Sequence, residues 1–303
     1  MSYVIKEKEM SDFILSCCST VDLSKESFSK MNVHYIPFHF YVNDEHYYDD
    51  LGDTMPLDEF YNSMKKGAMT KTSQVNNTEF VEYFTPFLEA GKDILHISIS
   101  SGISGAYNSA IIARNELQQK YPDRKIYIVD SLTGSSGGAL IIDKLAELRD
   151  KEGYSIDQLR DWVEKNKLKV QHWVLVTDLK YLVRGGRVSK ASGFIGGLLN
   201  ICPIITVDKS GKLAPVTKIR SKAKAINELV NKMTELADNS LEYNEKCYIS
   251  HASALEDASE LSTLIKDKFK NLSNKVVINN IGPTIGSHAG PGTTALFFWG
   301  AER

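Results

Sequence analysis

The first half of the chain alternates short apolar runs with amphipathic segments, and this alternation limits the possible folds more than any other feature. Three runs rich in Ile, Leu or Val predict strands at Phe13–Cys17, Ile94–Ser98 and Ile126–Val129. The helical spacing of Phe80, Phe84 and Leu88 predicts a helix before the second of these strands. Thr78 is the expected N-cap of that helix. Strands that alternate with helices predict a parallel sheet with helices packed on its faces.

The pattern changes after a capping box at Ser155 and Gln158, which predicts the start of another helix. Two apolar runs, at 204–207 and 213–217, flank a turn with Gly211 and predict a hairpin. Further strands, mixed with helices, are predicted at His172–Thr177, Cys247–Ser250, Val276–Ile281 and Thr294–Trp299. The sequence therefore predicts an α/β protein of two domains. Residues 1–168 form a parallel α/β domain with an insertion near 38–70, and residues 169–303 form an α+β domain.

The charge and the cysteines of the chain argue against several classes of protein. The 303 residues carry 36 Lys and Arg against 38 Asp and Glu, a formal net charge of −2, which argues against nucleic-acid binding. None of the four cysteines shows the spacing of a zinc site, and we expect reduced thiols in a cytoplasmic protein. We expect no secretory signal in residues 1–11, and the apolar stretch 193–207 is too short to cross a membrane.

Hydroxyl-bearing residues follow each of the three strands predicted in the first half. They lie in the loops Cys18–Thr20, Ser100–Gly105 and Asp130–Gly134. Because ligands bind at the carboxyl ends of parallel strands, and because helix N-termini attract anions, these loops together predict an anion site. The alternative is that their Ser and Thr residues only cap helices. A fourth cluster, Thr72 and Ser73 before Gln74, is by itself more typical of a loop and an N-cap.

A glycine- and proline-rich segment near the carboxyl end contains a single histidine. Ile281–Gly292 holds four glycines, two prolines and His288. Glycine permits close approach of the backbone to a ligand, and an imidazole can change charge near neutral pH, so His288 is a candidate binding residue. Arg184, Arg187 and Arg220 lie in basic stretches. A solvated surface is the ordinary interpretation of such stretches, and contact with a ligand carboxylate or an acidic partner is the alternative.

Familiar catalytic motifs are absent from the sequence. It contains no phosphate-binding loop with its lysine, no His-Glu-x-x-His and no Gly-x-Gly-x-x-Gly. The segment Gly102–Ala106 differs from a nucleophile elbow because that motif needs a residue between Ser104 and Gly105. We therefore predict a site that holds an anion without attacking it, with no metal and no cofactor.

In their order and spacing, these segments resemble the signatures of the DegV family over nearly the whole chain. The matching segments are Ser19–Leu23 (Ser-Thr-x-Asp-Leu), Thr72–Gln74 (Thr-Ser-Gln), Ser100–Gly105 (Ser-Ser-x-x-Ser-Gly), Gly185–Arg187 (Gly-Gly-Arg) and Ile281–Phe298 (Ile-Gly-Pro-x-Ile-Gly-x-His-x-Gly-Pro-Gly and a closing Phe-Phe). Cys18 stands where the family usually has an Asp, and Ala106 and Ala289 each replace a frequent Thr. These changes leave the matching hydroxyls and His288 in place and put in question a polar role for the first loop.

The resemblance implies both a fold and a function. Members of the family have an amino-terminal parallel α/β domain and a carboxyl-terminal α+β domain. They bind one long-chain fatty acid with its acyl chain in an apolar tunnel, and several serve as the acyl-carrying subunit of a bacterial fatty acid kinase. The ligand-binding residues that the resemblance implies are Thr72, Ser73, Ser100, Ser101, His288 and, less closely matched, Arg220.

The same resemblance implies the partners of the chain. An ATP-dependent kinase subunit would supply nucleotide and metal, so this chain would be a lipid carrier rather than an enzyme. Arg184 and Arg187 are the expected contacts with that kinase, and exchange of the ligand at a membrane surface is compatible with such a carrier. Gly193–Leu199 and Phe297–Phe298 are candidates for the tunnel lining, with core packing as an equal alternative.

Two other hypotheses remain open at the level of sequence. A stand-alone hydrolase or phosphotransferase would use Ser100 or Ser101 as nucleophile and would need His288 as its base. A structural or regulatory interaction module would need neither. The acyl length, the oligomeric state and the existence of a kinase partner cannot be read from the residues.

Overall fold

The structure is a computed structural model that describes residues 13–189 and 201–303. Its strands are β1 (Phe13–Cys18), β2 (His34–Ile36), β3 (His39–Val42), β4 (Glu45–Tyr48), β5 (Thr70–Ser73), β6 (Asp93–Ser98), β7 (Ile126–Asp130), β8 (Val170–Leu175), β9 (Ile201–Val207), β10 (Leu213–Arg220), β11 (Cys247–His251), β12 (Val276–Asn280) and β13 (Thr294–Trp299). Its α-helices are α1 (Lys25–Met31), α2 (Leu57–Lys65), α3 (Asn77–Glu89), α4 (Ala106–Lys120), α5 (Ser136–Glu152), α6 (Ile156–Asn166), α7 (Lys180–Arg184), α8 (Lys222–Leu236), α9 (Leu255–Lys268) and α10 (Pro283–Ala289). The candidate tunnel segment Gly193–Leu199 lies outside the described residues.

A parallel sheet occupies the amino-terminal part of the described chain, as the alternation of apolar runs predicts. Its strand order is β2-β1-β6-β7, and the strands of each neighbouring pair run parallel. Helix α3 buries Phe80, Phe84 and Leu88, the predicted stripe. The prediction of Thr78 as its N-cap is wrong, because the Asn76 side chain accepts the Glu79 amide and the Glu79 carboxylate accepts the Asn76 amide.

A small antiparallel sheet lies between β2 and α3. Its strand order is β4-β3-β5, with α2 between β4 and β5. Phe40 of β3 is buried in an apolar cluster with Phe60 and Tyr61 of α2. Thr72 of β5 pairs with Phe40 in this sheet. The packing of Phe40 therefore also positions β5, at the border between the two larger sheets.

A mixed sheet occupies the carboxyl-terminal part of the described chain. Its strand order is β10-β9-β8-β13-β11-β12, antiparallel except for β11 with β12. The predicted hairpin joins β9 and β10, where the Asp208 carboxylate accepts the amides of Ser210 and Lys212 and Gly211 has a φ of +74°. The last described strand, β13, lies in the interior of this sheet between β8 and β11.

These sheets confirm the predicted fold class, a parallel α/β part followed by an α+β part. The domain limits at 1–168 and 169–303 stay predictions.

All four cysteines are free and buried, and burial raises the pKa of Cys18 to about 11. Among the described residues, no helix is both long and apolar enough to span a membrane.

Candidate ligand-binding site

A cavity of about 370 Å³ lies between the carboxyl edge of the parallel sheet and one face of the mixed sheet. Loop residues after β6 and β7, among them Ile99 and Gly134, form one wall. The opposite wall comes from alternate residues of the mixed sheet, because successive side chains of a strand point to opposite faces. These residues are His172, Val174 and Val176 along β8 and beyond its end, Ile205 and Val207 on β9, and Ala295 and Phe297 on β13. The cavity is therefore mostly apolar, and its wall residues succeed one another along the strands.

The polar end of the cavity is formed by β5 and α10, which meet across more than two hundred residues of sequence. Thr72 Oγ1 lies 2.7 Å from His288 Nε2. Burial, and to a lesser extent the charges of Arg187 and Arg184, lower the pKa of His288 from 6.5 to about 4. The imidazole is therefore neutral at neutral pH. If its Nε2–H donates to Thr72 Oγ1, the Thr72 hydroxyl hydrogen is free to donate to a ligand.

Arg187 also lines the cavity at this end, although the sequence placed it among the docking residues. Its Nε donates to the Ile103 carbonyl at 3.2 Å and its Nη1 to the Gly185 carbonyl at 2.6 Å. Within residues 13–189 and 201–303, no carboxylate lies within ion-pair distance of its guanidinium. Burial lowers the pKa of Arg187, so the structure holds a half-buried positive charge that an anionic ligand would complement.

Two of the three serines predicted as ligand-binding residues, Ser100 and Ser101, lie outside this lining. Ser100 is buried and donates to the Gly211 carbonyl at 2.8 Å, which holds the β9–β10 turn against the loop. Ser101 is exposed, and its amide donates to Asp130. The segment lines the cavity at Ile99 and again at Ile103 and Ser104, so that Ser104 is the serine of this loop in the lining. Neither Ser100 nor Ser101 has a hydrogen bond to His288, and the geometry does not assemble the nucleophile and base of a stand-alone hydrolase.

The remaining predicted residues divide between the cavity and the surface. Ser73 is an exposed residue at the polar end of the lining. Arg184 is exposed just outside the cavity lining, where it donates to Thr70 Oγ1 at 3.2 Å. Arg220 ends β10, exposed and away from the lining. Of the two candidate tunnel residues at the carboxyl end, Phe297 lines the cavity and Phe298 is packed in the core.

The first hydroxyl-rich loop does not reach this cavity. Ser19 Oγ accepts the Phe38 amide, and the loop lines a second cavity of about 230 Å³ together with Asp22 and Asp49. Asp22 accepts hydrogen bonds from Ser135 Oγ and the Gly282 amide, and Asp49 accepts one from the Thr284 amide. These two acids thus bind the free amides at the start of α10, the helix that carries His288. Sequence reasoning missed this role because the acids are remote from α10 in the chain.

Comparison with known proteins supports a common architecture. The sequence matches the family described as "Uncharacterised protein, DegV family" over residues 18–300. A DegV domain-containing protein of Clostridium perfringens is 36% identical over 294 residues, which cover 97% of this chain and 99% of that protein. The structure of DegV from Bacillus subtilis, a fatty acid binding protein, is 27% identical, with a TM-score of 0.80 and coverage of 96% of this chain and 100% of that one. A Thermotoga maritima protein whose structure reveals fatty acid binding function is 26% identical, with a TM-score of 0.80 and coverage of 96% and 100%.

Proposed function

Because the chain belongs to the DegV family, we propose that it binds one long-chain fatty acid in this cavity and presents it to an ATP-dependent fatty acid kinase. The observation that carries the proposal is the division of the cavity into a long apolar part and one polar end with Thr72, Arg187 and His288. The fatty acid binding of the Bacillus subtilis and Thermotoga maritima proteins supports the same ligand class.

The acyl chain would occupy the apolar part between the sheets. Each methylene that leaves water stabilises the complex by about 0.8 kcal/mol. The cavity of about 370 Å³ is within the ordinary range for sites of small molecules. Burial of the chain therefore supplies most of the affinity, and the polar end fixes the orientation of the ligand.

The carboxylate would lie at the polar end between Thr72 and Arg187. In the tautomer whose Nε2 carries the hydrogen, neutral His288 donates to the Thr72 oxygen, and the Thr72 hydroxyl would donate one hydrogen bond to the carboxylate. The guanidinium of Arg187 supplies the opposite charge. Ser73 and Ser104, which line the same end, are additional donors. In this arrangement the ligand oxygen stays available to attack a phosphoryl group that another protein brings.

The kinase part of the proposal follows from the chemistry that the sequence lacks. Phosphoryl transfer depends on groups that position the nucleotide and its metal ion, and the chain has no phosphate-binding loop. Exposed Arg184 beside the polar end is the proposed contact for the kinase, and Arg220 is a second contact farther along the surface. A cytoplasmic location and exchange of the fatty acid at a membrane surface belong to the same proposal.

The test combines extraction with a coupled reaction. Solvent extraction of the purified protein should release about one long-chain fatty acid per chain, as measured by mass spectrometry. With labelled ATP and hydroxylamine, the loaded protein should give acyl hydroxamate only when a fatty acid kinase subunit is added. Hydroxamate formed by this chain alone would show a stand-alone phosphotransferase instead, and a protein that binds no fatty acid would contradict the whole proposal.

Gly185→Ala should weaken fatty acid binding through His288. A Cβ at position 185 would stand 2.1 Å from His288 Nδ1, so we expect the imidazole to shift and its contact with Thr72 to weaken. We expect a loss of about tenfold in affinity, the effect of about one hydrogen bond to a charged group, measured by calorimetry on delipidated protein. If the effect runs through the imidazole, adding Gly185→Ala to His288→Ala should change nothing further. An additive double variant would contradict this explanation.

A further inference from the structure

His172 is a buried polar residue in the apolar part of the cavity, and the function proposed above gives it no role. It lies on β8, it is 1% exposed, and its ring forms part of the lining. Neither Nδ1 nor Nε2 has a hydrogen-bond partner in the described part of the chain, although the Val170 carbonyl is close enough to raise its pKa slightly. Buried imidazole nitrogens ordinarily have partners.

The position of His172 along β8 places it far from the carboxylate end. The wall residues His172, Val174 and Val176 point into the cavity in succession. Val176 lies toward α7, and the residue after that helix, Gly185, packs against His288. Val176 follows His172 by four residue steps, which span about 13 Å at about 3.3 Å per residue in an extended chain. A ligand whose head group is at His288 would therefore meet His172 with the distal part of its chain.

The ring packs between Phe297 and Gly137. The Phe297 ring meets it edge to face, with centroids 5.6 Å apart. On another side, a Cβ on Gly137 would stand 2.4 Å from Nε2, so only glycine leaves room for the imidazole there. A glycine that admits a buried, unpartnered imidazole beside an apolar cavity indicates a built polar position rather than an accident of packing.

The chemistry of this position selects the ligand group. Burial, and to a lesser extent the charge of Arg303, hold the pKa of His172 well below its usual range, so the ring is neutral. A neutral imidazole has one donor and one acceptor. A hydroxyl group can satisfy either, whereas methylenes satisfy neither. The nitrogens are sealed from solvent in the structure, and a rotation about χ2, a broad torsion for histidine, is the movement that would present one of them to the cavity.

We propose that His172 is a specificity residue that hydrogen-bonds a hydroxyl on the distal part of the acyl chain. The preferred ligand class is then a long-chain fatty acid hydroxylated away from its carboxylate, and not the unsubstituted acid. This inference rests on the proposed function, because it requires the carboxylate to lie at the polar end.

The experiment is a competition among octadecanoic acid and a series of hydroxyoctadecanoic acids that differ only in the position of the hydroxyl. Calorimetry on delipidated protein should show that one distal position binds at least about tenfold more tightly than octadecanoic acid, which is about 1.4 kcal/mol. An acid hydroxylated next to the carboxylate should show no such gain. Nitrogen NMR of labelled histidine should report a changed His172 signal only with the preferred isomer.

Variants separate recognition from packing. His172→Phe keeps an aromatic ring against Phe297 and should bind octadecanoic acid at least as well as wild type while losing the preference for the hydroxyl. His172→Gln, which keeps a donor and an acceptor, should retain part of it. Thr284→Val is the matched control, because it removes another buried hydroxyl from the lining nearer to His288, and it should leave the distal preference unchanged.

The failures of the two proposals differ. If octadecanoic acid binds as tightly as every hydroxylated isomer, the inference about His172 is overturned while fatty acid binding stands. If the preference survives in His172→Phe, the hydroxyl is recognised elsewhere and the inference is again overturned. If none of the acids binds, the proposed function fails, and the inference fails with it.

Discussion

Arg187→Met should weaken fatty acid binding by about ten- to a hundredfold and leave the fold intact. Methionine keeps the apolar stem of the side chain and removes the charge. The guanidinium lines the polar end of the cavity and has backbone carbonyls as its partners there. A hydrogen bond to a charged group contributes about 1.5–3 kcal/mol, and the described residues offer no carboxylate that already compensates this charge.

The measurement is calorimetric titration of delipidated protein with palmitate, with thermal unfolding to check the fold. Arg184→Met is the matched control, since Arg184 is exposed outside the lining and contacts Thr70. The control should bind palmitate like wild type and should instead slow acyl phosphate formation with a kinase. Equal palmitate affinity in Arg187→Met and wild type would place the head group elsewhere.

Asp49→Asn should stabilise the protein at neutral pH and have little effect in acid. Burial raises the pKa of the Asp49 carboxyl from 3.8 to about 6. Below pH 4 the carboxyl is protonated in both folded and unfolded chains. As the pH rises toward 6 the unfolded chain loses its proton first, so the folded state loses stability over this window. At pH 7 the native aspartate thus destabilises the fold by about 2–3 kcal/mol, which the neutral amide avoids.

The difference between the unfolding free energies of Asp49→Asn and wild type isolates this effect. It should grow between pH 4 and pH 6 and then level off, as measured by urea unfolding. The comparison with wild type is needed because His288 affects stability in the opposite direction. Its lowered pKa makes the stability of the wild-type protein rise between about pH 4 and pH 6.5. A constant difference at all pH values would contradict the assignment to Asp49.

The fold was largely predictable from periodicity, since the spacing of apolar residues reports local geometry. The stripe of Phe80, Phe84 and Leu88 gave α3 in the right place. The start of this helix was harder to predict, because Asn76 and Thr78 are both good N-cap residues. The choice between them depends on the reciprocal hydrogen bonds that Asn76 makes with Glu79.

The candidate site was less predictable because its contacts are long-range. Thr72 and His288 could each be singled out, but nothing in their spacing shows that they meet. Which of Ser100, Ser101 and Ser104 faces the cavity depends on the conformation of one loop. In the structure Ser100 donates a buried hydrogen bond to Gly211, and Ser104 lines the cavity. Arg187 was expected to contact the kinase, because nothing in its basic stretch shows whether the guanidinium faces a cavity or a partner.

The interior position of β13 has a consequence for how the chain matures. On a ribosome, the wall formed by the loops after β6 and β7 emerges long before its counterpart. The mixed sheet cannot close until the segment Thr294–Trp299 inserts between β8 and β11, which are already made. A nascent chain therefore shows an open apolar wall and no enclosed chamber until β13 has been made. A lipid can then be taken up into this cavity only after β13 has inserted, and a chain truncated before β13 would be empty as well as unstable.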